Sequence, residues 1–244
     1  MSWLRGLIFQ IAFLLWSTVV ALYSLIPLIL GNRAHIFAIG KFWSDSINLL
    51  LRVIAGITYR IEGMENVPPG AVLIASKHQS LWDTAIVLAL FRGPAIVMKQ
   101  ELLRIPIYGA LCRIQGMIAV DRAGGAKALK SMLKSARDAV TEGRKLIIFP
   151  QGTRTLPGQP HDYQPGVAAL YRDLKIPVVP VALNSGFFWP KHGLKRPAGT
   201  IVMRFLPAIP AGLDRETFMT RLETEIETAQ AVLEAETQAG LRPR

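Results

Sequence analysis

The stretch "AVLIASKHQSLWDTA", residues 71–85, passes from an unbroken apolar run through a short polar loop into what reads as the first turn of a helix. An apolar run without polar alternation suits a strand covered on both faces, as in a parallel sheet with helices on either side. Ser80 is a good N-cap, and Asp83, three residues later, sits where the helix dipole favours a negative charge. His78 and Asp83 also have the composition of a general base and its orienting carboxylate. Five helical residues at about 100° each would set their side chains about 140° apart. The two therefore meet only if His78 lies in the loop before the helix and folds back over its first turn.

The same strand–loop–helix pattern repeats downstream. Short apolar runs predict strands at residues 58–61, 71–75, 95–98, 117–120, 146–149, 178–183 and 200–205. Between several of them lie helical stretches. The clearest is 126–142, with Leu129, Met132, Leu133, Ala136 and Val140 on one side, Lys127, Lys130, Lys134 and Arg137 on the other, and Gly143 as the terminator. A final, mostly polar helix is expected from Asp214 to about Gln238. Alternating strands and helices with continuous apolar strands indicate an α/β domain around a largely parallel sheet, flanked by helices.

Upstream the chemistry changes. Residues 7–30, "LIFQIAFLLWSTVVALYSLIPLIL", carry no charge; as one helix they would measure roughly 36 Å, enough to cross a hydrocarbon core with some tilt. The run is too long for a signal-peptide core, and no A-x-A site follows it. Pro27 is placed to kink or end the helix. Arg5 alone precedes the run, whereas Arg33, Lys41, Arg52 and Arg60 follow it, which puts the C-terminal bulk on the cytoplasmic side. In residues 34–56, Ile36, Ile39, Trp43, Ile47, Leu50 and Ile54 form a stripe, with Lys41, Asp45, Asn48 and Arg52 away from it. That amphipathic helix suits either the domain core or a membrane interface. The expected organisation is an N-terminal hydrophobic two-helix membrane anchor over 1–56 and a catalytic domain over 57–244.

Composition narrows the partners. The formal charge of +11 asks for an anionic one. The basic residues are dispersed and no nucleic-acid-binding motif is present, so membrane lipid or a phosphorylated substrate is expected and nucleic acid is not. A single cysteine, Cys112, excludes an internal disulfide. The four histidines, His35, His78, His161 and His192, are too scattered to predict a metal site.

The distinctive polar residues follow the strands. His78 comes after "AVLIAS", Asp121 and Arg122 after "MIAV", the loop "PQGTRT" after "LIIF", and Asn184-Ser185 after "VVPVAL". Ligands of open α/β sheets bind beyond the carboxyl ends of the strands, so these ends are expected to converge on one site. There is no G-x-S-x-G nucleophile elbow, and nothing around Cys112 marks a nucleophile. His78, oriented by Asp83, is therefore expected to deprotonate a substrate hydroxyl or water. Arg122 and Arg154 suit a phosphate, and Gly152 allows close backbone approach.

In this arrangement "HQSLWD" resembles the H-x4-D motif of the glycerolipid acyltransferases, the 1-acyl-sn-glycerol-3-phosphate acyltransferases in particular. "GMIAVDR", "FPQGTRT" and "IPVVPVAL" resemble their second, third and fourth blocks, in the same order, over roughly residues 57–210. The resemblance implies that His78 activates the free glycerol hydroxyl and that Asp83 orients it. It also implies that Gln151, Gly152, Thr153 and Arg154 belong to the acceptor-binding block, with Arg122 and Lys99 assisting at the phosphate. The implied substrates are lysophosphatidic acid and an acyl thioester on coenzyme A or acyl carrier protein, joined at a membrane and without a cofactor. The implied location is the cytoplasmic face of a bacterial inner membrane. Gln151 departs from the glutamate usual in the third block; it can hydrogen-bond but cannot carry charge. Acylation of another lyso-lipid, such as a lysophospholipid or lyso-ornithine lipid, is the alternative within the family. An esterase or phosphatase, or a basic scaffolding protein with His78 as a plain helix-start residue, are the alternatives outside it.

Overall fold

The computed structural model describes residues 2–241; the outer bounds of the two expected units, residue 1 and residues 242–244, lie outside the described residues. The chain opens with helices α1 (Ser2–Tyr23), α2 (Leu25–Ile29) and α3 (Arg33–Leu50), the last running into a π-helical turn at Leu51–Ala55. Strand β1 (Ile57–Glu62) follows, then β2 (Val72–Ser76), α4 (Trp82–Leu90), β3 (Ala95–Lys99), α5 (Tyr108–Gln115), β4 (Ile118–Val120), α6 (Gly125–Thr141) and β5 (Lys145–Ile148). The chain closes with α7 (Gly166–Leu174), β6 (Val178–Leu183), α8 (Ser185–Phe188), β7 (Gly199–Phe205) and α9 (Arg215–Leu241). All seven expected strands form, with ends within one residue of those read from the apolar runs. The long helix ends as expected. Gly143 adopts φ +68°, its N–H donates to Val140 O and the Arg144 N–H donates to Ala139 O, the two bonds of a Schellman termination.

The strands form one sheet in the order β1-β7-β6-β2-β5-β3-β4 among the described residues. β6, β2, β5, β3 and β4 are mutually parallel, while β7 pairs antiparallel with β6 and parallel with β1. Successive residues of β2 point to opposite faces. Val72 and Ile74 pack with Trp82, Ile86, Phe9 and Ile47, on the side of α4, α1 and α3. Leu73 and Ala75 pack with Met132, Val167, Leu170 and Phe218, on the side of α6, α7 and α9. The chain leaves β2 through α4 on the first face and leaves the adjacent β5 through α7 on the second. Neighbouring strands whose connections depart to opposite faces open a crevice at their carboxyl ends.

The apolar N-terminus runs helically over Ser2–Ile29, long and apolar enough to cross a membrane, with the expected irregularity at Ser24, where Pro27 cannot donate to Tyr23 O four residues back. Its first part, α1, does not stand free of the domain. Phe9 and Phe13 meet Trp189 edge-on at ring-centroid distances of 5.0 and 5.4 Å, and a Cβ at Gly6 would overlap Leu194 O, so glycine is what lets the helix lie this close. Helix α3 returns alongside, clipped by Trp16 Nε1 to Ser46 Oγ (2.7 Å) and Trp43 Nε1 to Ser17 Oγ (3.0 Å). Of the two settings open to α3, its stripe takes the domain core: Ile36, Ile39 and Ile47 are buried, and Trp43, Leu50 and Ile54 are half-buried against that core. Asn48 departs from the amphipathic pattern; it is buried because its Oδ1 accepts from Trp82 Nε1 (2.8 Å). The other face of α1, with Leu4, Ile8, Ile11, Leu15, Val19 and Leu22, is exposed and apolar.

Because Phe9, Phe13, Ile47 and Leu51 share a core with Trp82 and Trp189, removing residues 1–56 should yield an aggregating fragment. Light scattering of purified 57–244 tests this. A monodisperse fragment with wild-type melting temperature would mean that the helices are only a tether.

Candidate active site

The crevice between β2 and β5 holds His78, Asp83 and the third-block loop of Gln151 and Gly152, while Lys99 and Arg122 come from β3 and β4 on one side of it. His78 lies in the loop after β2 and folds back over the start of α4, so that its Nδ1 lies 2.9 Å from Asp83 Oδ2. The same oxygen accepts from Gln79 N (2.7 Å) and Ser80 N (2.8 Å), while Ser80 Oγ accepts from Trp82 N (3.1 Å). Ser80 and Asp83 thus form a reciprocal cap, and that cap is what turns the histidine toward the carboxylate. Helix-start chemistry and His–Asp pairing are one structure.

Asp83 is fully buried, and its second oxygen accepts from Ser185 Oγ at 2.5 Å. The other groups around this carboxylate, Gln79 N, Ser80 N and Ser185 Oγ, are donors, and a neutral imidazole that donates to it from Nδ1 leaves the Nε2 lone pair free. The imidazole is further fixed by Phe149, stacked at 4.1 Å with an interplanar angle of 22°, and by Thr155, whose N–H donates to His78 O at 2.8 Å. Ser185, at the end of β6, carries no sequence signal beyond its place after a strand. Its place is set by pairing of β6 with β2, which sequence does not display.

The third-block loop is folded against this pair. Gln151 is 2% exposed; its Oε1 accepts from His78 N (3.3 Å), while its buried Nε2 has no partner among the described residues. Gly152 takes φ +70°, a conformation that favours glycine. Its carbonyl accepts from Arg122 Nη2. That contact refines the expectation for Arg122. β3 lies between β4 and β5, so Arg122 reaches across it and clips the loop instead of standing at a neighbouring strand end. Arg154 is half-buried and its guanidinium has no protein partner among the described residues. It lines a cleft with Thr153, Thr155, His161, Lys191 and His192. Lys99 ends β3, beside Val120 of β4, and is exposed. Asn184 is structural: its Oδ1 accepts from Val202 N at 2.7 Å and its Nδ2 donates to Thr237 Oγ1 at 2.7 Å.

The remaining nucleophile candidates are out of play. Ser80 Oγ is engaged at the helix start, and burial pushes the Cys112 thiol up to about 11, leaving little thiolate at neutral pH. The arrangement therefore offers an imidazole oriented by a buried carboxylate and, in the loop folded against it, a guanidinium without a protein partner among the described residues, a combination suited to deprotonating a hydroxyl on a bound anion.

Comparison with known proteins agrees with this geometry. An acyltransferase family model matches residues 58–184. The 1-acyl-sn-glycerol-3-phosphate acyltransferase of Pseudomonas aeruginosa is 37% identical over 196 residues, 80% of this chain and 75% of that protein. The human 1-acyl-sn-glycerol-3-phosphate acyltransferase alpha is 27% identical over 165 residues, 66% of this chain and 58% of that protein. The crystal structure of the 1-acyl-sn-glycerophosphate (LPA) acyltransferase PlsC from Thermotoga maritima superposes with a TM-score of 0.77 over 100% of both chains. At 20% identity, that match speaks for the fold. Four motif blocks in order, the paired His78 and Asp83, and these relatives together establish that the chain belongs to the 1-acyl-sn-glycerol-3-phosphate acyltransferase family of H-x4-D glycerolipid acyltransferases.

Proposed function

We propose that this protein transfers a fatty acyl group from acyl-coenzyme A or acyl carrier protein to the sn-2 hydroxyl of 1-acyl-sn-glycerol-3-phosphate, giving phosphatidic acid. The observation that carries the reading is a His78 oriented by the buried Asp83 carboxylate, folded against the loop of Arg154, whose guanidinium has no protein partner among the described residues. His78 Nε2 takes the proton of the glycerol hydroxyl as its oxygen attacks the thioester carbonyl. The tetrahedral intermediate collapses, the thiolate leaves, and His78 returns the proton to it. Asp83 stabilises the imidazolium in between. Arg154, with Gly152 and Thr153 beside it, receives the acceptor phosphate, Arg122 holds that loop, and Lys99 adds positive potential. The buried Nε2 of Gln151 is a donor waiting for an oxygen, and the acceptor's glycerol region supplies one.

Membrane association follows from α1. Its inner face stays on the domain, so the helix enters the bilayer by its outer face, aided by Ile26, Ile29 and Leu30 of the α2 tip. The active site would then work at the cytoplasmic surface of a bacterial inner membrane.

Washed membranes offered labelled acyl donors and a panel of lyso-lipids should convert lysophosphatidic acid to labelled phosphatidic acid. Labelled free fatty acid alone, or acylation confined to a lyso-lipid without a phosphomonoester, would overturn the assignment. Within the site, Arg154→Ala should raise the acceptor KM roughly 10- to 100-fold, the worth of a charge-assisted hydrogen-bonded pair, and leave the donor KM near wild type. Arg154→Lys should recover only part of this, because the bidentate geometry is lost. Equal changes for both substrates would make Arg154 a loop residue and not a phosphate ligand.

A further inference from the structure

The last helix is mostly polar, and three of its polar residues, Gln230, Glu234 and Thr237, are buried against the domain. Phe218, Leu222 and Ile226 lie four apart on the covered face of α9, and the row continues as Gln230 and Glu234, also buried. Gln230 fastens the helix to the end of β6, its Oε1 accepting from Leu183 N (3.0 Å) and its Nε2 donating to Leu183 O (2.7 Å). Two carboxylates, Glu227 and Glu234, are spaced seven residues apart and so share one face of α9.

Each takes one contact from either side of His78 and one from the chain after the third-block loop. Glu227 holds Lys77 Nζ at 2.6 and 2.7 Å and accepts from Tyr163 OH at 2.8 Å. Glu234 accepts from Gln79 Nε2 at 3.0 Å through Oε1, and from Gly158 N at 2.7 Å through Oε2. Lys77 and Gln79 flank His78 and are 2% and 1% exposed. Gln79 Oε1 in turn accepts from Gly186 N at 3.1 Å, next to the Ser185 that holds Asp83. Burial and the neighbouring Glu227 push the Tyr163 hydroxyl up, so it remains a donor.

We infer that Glu227 and Glu234 are positioning residues, a brace on α9 that keeps the base loop around His78 in register with the acceptor-binding loop around Arg154. Stability alone does not account for them. The Glu227 side chain is 38% exposed, a setting in which an ion pair adds little to stability, and an apolar side chain continuing the row of Phe218, Leu222 and Ile226 would cover the buried position of Glu234 as well. What an apolar face would not do is bind two separate loops through the same two carboxylates. Register matters because an error of about 1 Å between base and acceptor costs on the order of 100-fold in rate.

The inference rests on His78 and Arg154 having the roles proposed above, and three variants of the full-length membrane protein test it. In Glu234→Gln the amide oxygen keeps the bond to Gln79, while the amide N–H2 meets the Gly158 N–H donor to donor. The expected result is a roughly tenfold rise in acceptor KM, with kcat and donor KM within about twofold. Hydrogen exchange should accelerate at Gly158 and not in β2.

The reciprocal pair Gln79→Glu with Glu234→Gln restores a donor–acceptor contact of reversed polarity. With its nitrogen turned to position 79, the amide at 234 presents its oxygen to the Gly158 N–H and gives up only the bond from Gln230 Nε2, so the kcat that Gln79→Glu alone loses, the acceptor KM and the Gly158 exchange rate should all return toward wild type. A Glu234→Gln enzyme whose two KM values and kcat are all unchanged, or all fall together with faster exchange throughout the sheet, would reduce the brace to ordinary packing. If wild type fails to acylate lysophosphatidic acid, the functional assignment has failed and not the brace. Gly158 exchange in Glu234→Gln still reports on the brace in that case, and an unchanged rate there would sink it.

Discussion

His78→Ala should lower kcat for acyl transfer on the order of 100- to 10,000-fold, the usual loss for a general base, while the protein remains folded and bound to membranes. The two effects separate because they differ in size. Removing the imidazole forfeits the stack on Phe149, worth about 1 kcal/mol, and its contact with Asp83. Asp83 keeps three other donors, from Gln79, Ser80 and Ser185. The barrier, by contrast, rises by roughly 3–5 kcal/mol. Purified enzyme is assayed with saturating lysophosphatidic acid and acyl donor, and its melting temperature is measured alongside. Activity within a few-fold of wild type would end the proposed mechanism. A melting point lowered enough to explain the loss would make His78 a structural residue.

Asp83→Asn should cost on the order of 100-fold, and for a reason specific to this site. An asparagine here cannot turn its amide nitrogen toward His78, because the Oδ2 position also accepts from two backbone N–H groups. The amide oxygen must stay there, and the nitrogen faces Ser185 Oγ, which can rotate to accept. Cap, loop and tautomer are therefore retained, and only the charge is lost. Two unit charges about 4 Å apart at an effective dielectric near 20 interact by roughly 4 kcal/mol, an upper bound on the stabilisation withdrawn from the imidazolium.

Asp83→Ala is a different experiment. It strands three buried donors at roughly 1–3 kcal/mol each, comparable to the whole stability of a typical domain, and should fail to fold. Asp83→Asn with wild-type melting and a rate within fivefold of wild type would confine Asp83 to starting the helix.

Much of the site was readable because its chemistry is local. The loop "KHQSLWD" carries both halves of a capping box, and capping is decided within four residues. That fixes how His78 must fold back before any tertiary contact is known. Gly152 is similarly local, since its left-handed backbone is a property of the residue. Ser185 and the α9 carboxylates were not readable in this way. Ser185 lies 102 positions from Asp83, and Glu234 lies 155 from Gln79. One signal is present in the sequence: the row Phe218, Leu222, Ile226, spaced four apart, runs on without a break into Gln230 and Glu234. A polar continuation of an apolar row marks a buried face that meets polar groups.

By itself the sequence determined the seven strands, their limits and the order of the four motif blocks, because period-two packing, helix caps and glycine conformations depend on neighbours a few residues away. Only the tertiary structure decided that β5 lies between β2 and β3, bringing the Gln151 loop against His78 while Arg122 reaches over from β4. It also decided that α1 lies docked by Phe9 and Phe13, and that Asn48 is buried on Trp82. Strand order and the choice of covered helix face are settled by contacts between segments far apart in the chain. An apolar or polar side chain records that it needs a partner, and the fold supplies which one.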